Sequence, residues 1–416
     1  MRVLWVSHLI PYPPKSGAHL RSFNLLRSLA ARHDVDLFAF VQEAWLDIFF
    51  SSRETGLLES RRALMQFCRS VTFIPIESLA RAGGRQREAL ASLLTPEPYT
   101  LRWLRSDRAE QLLRHASTQD YRVAHFDTVG LAPFRKFFRQ MPCTLGHHNV
   151  ESHIFLRRAC NERRAFQRWY FRQEGVRLQK YETAIAGVFG RHFTCSLLDS
   201  SRLKAHAPEA NSVEIPNGVD LDYFKKDVSV VRTGVSVIFV GSLNWYPNVD
   251  AALFLLTEIW PRVIERKCNV SLDVVGSAPP KAVLAAASNV PGVRVHGFVD
   301  DVRPLINAAS ICVCPIRDGG GTKLKVLEAF SMEKCVVAHP IACEGIDVRD
   351  GLNVRLATTA EDFASVMCEL LDSEQERRAM GAAARQLVEE QYSFASIGCL
   401  FVDAIEQVAG ETCNNI

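Results

Sequence analysis

The chain has 416 residues, enough for two or three domains and for a core that needs no covalent staples. Hydrophobic residues make up 48% and charged residues 23%, an ordinary globular mix that excludes a disordered or fibrous chain. The formal net charge of +3 leaves no strongly basic domain, so no nucleic-acid partner is expected.

The first element reads as a strand, "RVLWVS", followed by a loop broken by Pro and Gly, "HLIPYPPKSGAH". This opening does not read as a signal peptide, because Ser7, His8 and Pro11 interrupt the apolar run. A helix follows, with Leu20, Phe23, Leu26, Leu29 and Ala30 on one face, and then a buried strand, "VDLFAFV". Strand, helix, strand predicts a parallel sheet. Further strands are expected at "VTFIPI", "RVAHF", "CTLGHH", "HFTCS" and "VEIPNG". Residues 157–180 read as one long basic helix containing Phe166, Trp169, Tyr170 and Phe171. Its plain reading is a solvated face; the alternative is contact with an anionic membrane surface or an acidic acceptor.

A second series of strands begins at "SVIFVGS" and continues through "VSLDVVGS", "VRVHGFV", "SICVCPI" and "KCVVAHP". Two successive α/β series predict two doubly wound domains. The polar, turn-rich stretch between them is taken as the linker. The expected boundaries are 1–215, a linker at 216–234, 235–395, and a terminal helix at 396–416 that packs back on the first domain. No window approaches the roughly twenty apolar residues of a membrane span. The twelve cysteines show no C-x-x-C pair and no zinc spacing. Cys312 and Cys314 lie in an apolar run and read as buried thiols, which fits a reducing cytoplasm. The expected location is cytoplasmic, with attachment to the inner membrane face as the variant.

The strongest chemical signal is "PIRDGGGTKLKVLEAF", residues 315–330. A strand feeds a glycine loop, and the loop feeds a helix. Ligands of open α/β sheets bind beyond the carboxyl ends of strands, and helix N-termini favour anions. A phosphate or carboxylate is therefore expected at Gly320 and Gly321. Lys325 and Glu328 are three residues apart and share a helical face, while Lys323 reaches from the first turn. A carboxylate one turn deeper suits a ribose diol, because an ionised carboxylate only accepts hydrogen bonds. The stretch reads as a clamp for a nucleoside diphosphate, against the alternative of a plain glycine turn with a surface Lys325–Glu328 pair.

Several segments together resemble the family-4 type of retaining, nucleotide-sugar-dependent glycosyltransferases. They are "IPYPPKSGAHLRSFNLLRSLA", "HHNVES", "IPNGVDLDYF", "FVGSLNWYPNVDAALFL", "VHGFVDDVRPLINAASICVCPI" and "GGGTKLKVLEAF". The resemblance covers nearly the whole chain and implies a GT-B fold, two facing Rossmann-like domains. It implies donor contacts at Gly17, Gly241, Ser242, Gly297, Phe298, Val299, Gly320, Gly321, Thr322, Lys323, Lys325 and Glu328. It gives catalytic roles to His148, Lys325 and Glu328. Gly297, Phe298 and Val299 would meet the nucleobase, and His148, or its neighbour His147, would face the sugar. His125 and Asp127 also end a strand, in "AHFDT", and either one could contact acceptor. Gly17 reads as either a tight turn or a close approach to the diphosphate.

The family pattern has two glutamates with seven residues between them; the second falls on Glu328 and the first on Gly320. Its diphosphate Arg falls on Ser242, and "LNWYPN" supplies no Lys. Lys323 and Lys325 are read as the replacement cations, with Asp318 as a weak substitute for the missing acid. The implied reaction transfers a hexose from a nucleoside diphosphate sugar to a glycan, lipid-linked or small-molecule acceptor. No cofactor and no metal are expected, since lysines and dipoles neutralise the diphosphate and no Asp-x-Asp lies beside the loop. Two rival readings are a non-catalytic partner protein of the same fold and a nucleotide-sugar epimerase.

Overall fold

Among the described residues of the computed structural model, thirteen strands form two sheets, and every pairing in both is parallel. The structure describes residues 1–80, 84–227, 234–267 and 269–411. The first sheet contains β1 (Arg2–Ser7), β2 (Asp34–Val41), β3 (Ser70–Pro75), β4 (Val123–Phe126), β5 (Cys143–Gly146), β6 (Arg191–Thr194) and β7 (Ser212–Glu214). Its order is β3-β2-β1-β4-β5-β6-β7. The second contains β8 (Val235–Val240), β9 (Val270–Val275), β10 (Val293–Gly297), β11 (Ile311–Cys314), β12 (Cys335–Ala338) and β13 (Arg355–Leu356), in the order β10-β9-β8-β11-β12-β13.

Both orders start from a central strand, wind outwards, return and wind the other way. Each sheet therefore has a point where the direction reverses, between β1 and β4 and between β8 and β11. That is where ligands bind in doubly wound sheets.

The strands are apolar runs because helices cover both faces. Along β1, Val3 and Trp5 enter one core cluster, and Leu4 and Val6 enter the cluster on the other face. The helix Phe394–Glu411 closes the Trp5 side with Ile397, Phe401, Val402, Ile405 and Val408. The last helix thus packs on the first domain, as expected.

The chain divides into two compact units, Met1–Pro216 with Ala395–Ile416, and Asn217–Phe394. Residues 228–233 of the expected linker lie outside the described residues.

One expectation needs correction. Residues 157–180 are not one helix: the chain forms Glu151–Asn161 and Ala165–Ile185, an antiparallel hairpin broken at 162–164. Nor was β13, only two residues long, visible in the sequence.

Candidate functional site

In the second unit, β8 ends at Val240 and delivers Gly241 and Ser242, while β11 ends at Cys314 and delivers the glycine loop. The helix Leu324–Ser331 starts directly after that loop. Gly319 and Gly321 have φ of +100° and +68°, a region that L-side chains rarely adopt, so the loop's shape requires glycine there. Gly320 has no such constraint.

Lys323 folds back on this loop. Its Nζ donates to the carbonyls of Gly320 and Gly321, both at 2.8 Å. It thereby ties the loop carbonyls inward. The Thr322 hydroxyl is buried and has no protein hydrogen-bond partner, so it is available to a ligand at the loop. Asp318 accepts from the Gly319 N–H at 2.6 Å, an engagement within its own turn. Arg317 is committed to Asp250 through contacts of 3.1 and 3.2 Å and stacks over Phe254.

Lys325 crosses to the β8 side. Its Nζ donates to Asn248 Oδ1 at 2.7 Å and lies 5.4 Å from the centre of the Phe239 ring. Asn248 donates in turn to the Ser242 carbonyl at 2.8 Å. A Cβ on Gly241 would lie 2.5 Å from Lys325 Nζ, so this glycine makes the room that the ammonium occupies. The amine therefore sits under the Gly241–Ser242 turn, the strand end at which the family pattern places its arginine. Burial lowers the Lys325 pKa, against the opposite pull of Cys314 and Glu328. Burial likewise pushes the Glu328 carboxyl up to about 7, although Lys325 pulls it down. No ion pair within 4 Å joins the two among the described residues; the Lys325 ammonium turns to Asn248 instead.

Ser242 is exposed; its hydroxyl bonds Asn244 and Ser277. Gly297 closes β10 with φ +68°, and Phe298 beyond it is 51% exposed, with Val299 half-buried.

The first unit carries a second cluster at its own reversal point. Asp127 follows β4 and is 3% exposed. Its Oδ2 accepts from Ser22 at 2.6 Å and Ser7 at 3.1 Å, and its Oδ1 lies 3.2 Å from His148 Nε2. His8 Nδ1 is 3.8 Å away, and the His8 and His148 rings meet edge to face at 5.3 Å. Burial would raise the Asp127 pKa, but the imidazoles of His148, His125 and His8 hold it well below the usual carboxylate range. Gly146 lets β5 approach, since a Cβ there would sit 2.8 Å from the Asp127 carbonyl oxygen. His8, Asp127 and His148 each offer a ligand atom within 4.8 Å of the others, so this set can also hold a metal ion.

Of the two adjacent histidines, His147 is the buried one, 3.0 Å from His192 Nδ1. His148 reaches the cluster. His125 belongs to the core: it is 2% exposed, packs on Trp5 and Phe401, and bonds Thr144. The acceptor contact expected of it is therefore withdrawn.

Gly17 opens the helix Gly17–Ala30 and is exposed. Two turns of sequence around it matter more than the glycine. His19 stacks on Trp45 at 3.7 Å, bonds Ser16, and keeps its Nε2 buried without a partner; burial takes its pKa down to about 3. His8, His19 and Ser22 were missed in the sequence. His8 leaves an apolar strand and gave only the signal of a polar loop, while His19 and Ser22 sit on the buried side of the following helix.

Residues 234–373 match the family model of glycosyl transferases group 1. An uncharacterised 44.6 kDa protein in the cps region of Klebsiella pneumoniae is 21% identical over 87% of this chain and 89% of its own. A phosphatidyl-myo-inositol mannosyltransferase of Mycobacterium tuberculosis is 25% identical over 50% of this chain and 57% of its own. Among solved structures, the sucrose-phosphate synthase of Thermosynechococcus elongatus aligns with a TM-score of 0.69 at 15% identity, over 99% of this chain and 100% of that one. HepE of Anabaena, in complex with UDP and glucose, aligns at 0.67 and 14% identity, over 98% and 100%. The structural likeness establishes the GT-B fold, and the family match supports a group 1 glycosyltransferase.

Proposed function

We propose that the chain is a retaining glycosyltransferase that moves a hexose from a nucleoside diphosphate sugar to an acceptor hydroxyl, in polysaccharide or glycoconjugate synthesis. The observation that carries this reading is the glycine loop at the β8/β11 reversal point, with Lys325 and Glu328 on its helix, inside the segment that matches the family model. The match also favours transfer over the non-catalytic and epimerase readings.

In this reading the loop N–H groups, the Thr322 hydroxyl and the Lys325 ammonium receive the diphosphate, and Glu328 accepts from the ribose diol. Gly297, Phe298 and Val299 receive the base, with Gly241 and Ser242 beside the donor. Lys323 holds the loop in the receiving shape. The bond from the sugar's C1 to the diphosphate oxygen breaks, and the acceptor oxygen bonds C1 on the same face. The acceptor proton passes to the departing phosphate oxygen. Negative charge grows on the diphosphate, and the preorganised Lys325 stabilises it there. In the first unit, Asp127 orients His148 for a catalytic role. No metal is required for this charge balance.

The test is a thermal-shift screen of nucleoside diphosphates and their sugars, starting with UDP and UDP-glucose, since HepE holds UDP. A ligand at a hundred times its Kd stabilises by about 2.7 kcal/mol. Absence of any shift across uridine, guanosine and adenosine series would remove the donor assignment.

A further inference from the structure

The hairpin of Glu151–Asn161 and Ala165–Ile185 is anchored at its base and bare at its tip. At the base, Glu182 accepts from Ser152 and lies 2.8 Å from His206 Nε2, while Glu174 accepts from the Tyr99 N–H at 2.7 Å and from Arg177. Both glutamates are buried. Gly175 brings the two helices into contact, since a Cβ there would lie 2.8 Å from Leu156 Cγ. This close seam makes the hairpin a stiff arm.

From 161 to 173 no residue is buried. Phe166 is 63% exposed and Trp169 48%, although both are large aromatics. They are three apart on one helical face, and their rings meet at 5.9 Å. Around them stand Arg163, Arg164, Arg168 and Arg172, all exposed. Residues 157–172 hold six arginines and one acid, Glu162. The hairpin's other acids lie outside this stretch, and Glu174 and Glu182 are turned inward. The tip therefore presents an aromatic wedge in a field of one sign.

We propose that this tip docks the protein on an anionic lipid bilayer, with Phe166 and Trp169 entering the headgroup region and the four exposed arginines holding lipid phosphates. The chemistry fits at both levels. Aromatic side chains favour the membrane interface, and basic residues are drawn to the negative surface. An exposed helical tip offers no groove for a folded partner, whereas a soft, charged plane accepts it. No helix among the described residues is long and apolar enough to cross a membrane, so this attachment is interfacial. The inference is independent of the catalytic reading, because nothing in it uses the glycine loop.

The experiment is flotation of the full chain with vesicles of phosphatidylcholine alone, or mixed with phosphatidylglycerol, across a salt series. The expected result is binding to the anionic vesicles at low salt, loss of that binding at high salt, and none to the neutral ones. Replacing all four arginines by Gln should weaken binding by hundreds-fold, at about fivefold per charge. The pair Phe166→Ser and Trp169→Ser should weaken it about tenfold or more. Unchanged melting temperatures would confirm that both variants fold, as expected for exposed positions. Equal binding to neutral vesicles, no binding to anionic ones, or wild-type binding by both variants would each overturn the proposal. So would capture by a soluble polyanion such as heparin that needs the arginines, with vesicle binding indifferent to the aromatics; that would assign the tip to an acidic macromolecule.

Discussion

At the carboxyl ends of β1 and β4 the chain places a buried carboxylate between imidazoles. At the carboxyl ends of β8 and β11 it places glycines, a lysine and a glutamate. The topology around the two places is the same, the reversal of a doubly wound sheet. What differs is the source of polarity. The first unit uses side chains held by other side chains: Ser7 and Ser22 fix Asp127, and Asp127 fixes His148. The second uses backbone exposed by glycine, with Lys323 tying the carbonyls away. The fold therefore decides where chemistry happens, and local residues decide which chemistry. A side-chain network suits proton and hydroxyl contacts; a backbone cradle suits a multiply charged anion.

The sharpest way to break this contrast is at Asp127. Asp127→Ala removes the charge that the imidazoles and two hydroxyls surround, and breaking such a buried network costs about 3–5 kcal/mol. The expected outcome is a large fall in urea midpoint together with loss of activity. Asp127→Asn keeps the shape and should recover much of the stability but not the activity. The pH dependence follows from the sign. The folded carboxyl is held well below the usual range, so its contribution is present above about pH 4 and lost as pH falls. The Asn variant should lose that acid limb.

The matching lesion in the second unit is Lys325→Met. A cost on the order of a hundredfold in kcat, about 2.7 kcal/mol, is expected. Calorimetry should show weaker nucleoside diphosphate binding and unchanged nucleoside binding. Equal weakening of both would mean a folding defect, and no change in either, with full activity, would remove Lys325 from the diphosphate.

Glu328→Ala should weaken nucleotide binding by about 1.5–3 kcal/mol, the range for charged hydrogen bonds. Glu328 also sharpens the comparison through pH. Its carboxyl is raised to about 7, so the ionised acceptor forms only as pH rises through that value. Binding of a nucleotide sugar, whose phosphates do not titrate there, should strengthen between pH 6 and 8, and Glu328→Gln should flatten the profile. The same raised value contributes stability that is complete below about pH 4.3, the unfolded value, and lost as pH rises through 7.

The smallest expected effect is none. Chelator treatment should leave turnover unchanged. If EDTA abolished activity and a divalent ion restored it, His8, Asp127 and His148 would become a metal site, and the contrast between the two units would be redrawn.

The sheets were legible because parallel strands buried on both faces are short apolar runs between turn signals; "SICVCPI" and "VDLFAFV" are clear instances. β13 was not, since two residues carry no pattern. The second unit's loop was legible because glycines, cations and an acid fall within fifteen residues of sequence. The first unit's cluster was half legible. His148 and Asp127 end strands, but His8 and Ser22 join them only through sheet order, across more than a hundred residues. The engagement of Lys323 by its own loop was also hidden, because a long side chain near a helix start can turn either way.

The helix Phe394–Glu411 has a consequence for how the molecule is made. It completes the core around Val3 and Trp5, yet it is synthesised after the whole second unit. Domains usually fold in order as they leave the ribosome. Here the first domain cannot, because its cover arrives after the whole second unit has been translated. Until then Trp5, Leu26 and Phe193 lack Ile397, Phe401 and Ile405. A nascent chain that lacks this helix would present an open apolar face, a natural client for chaperones.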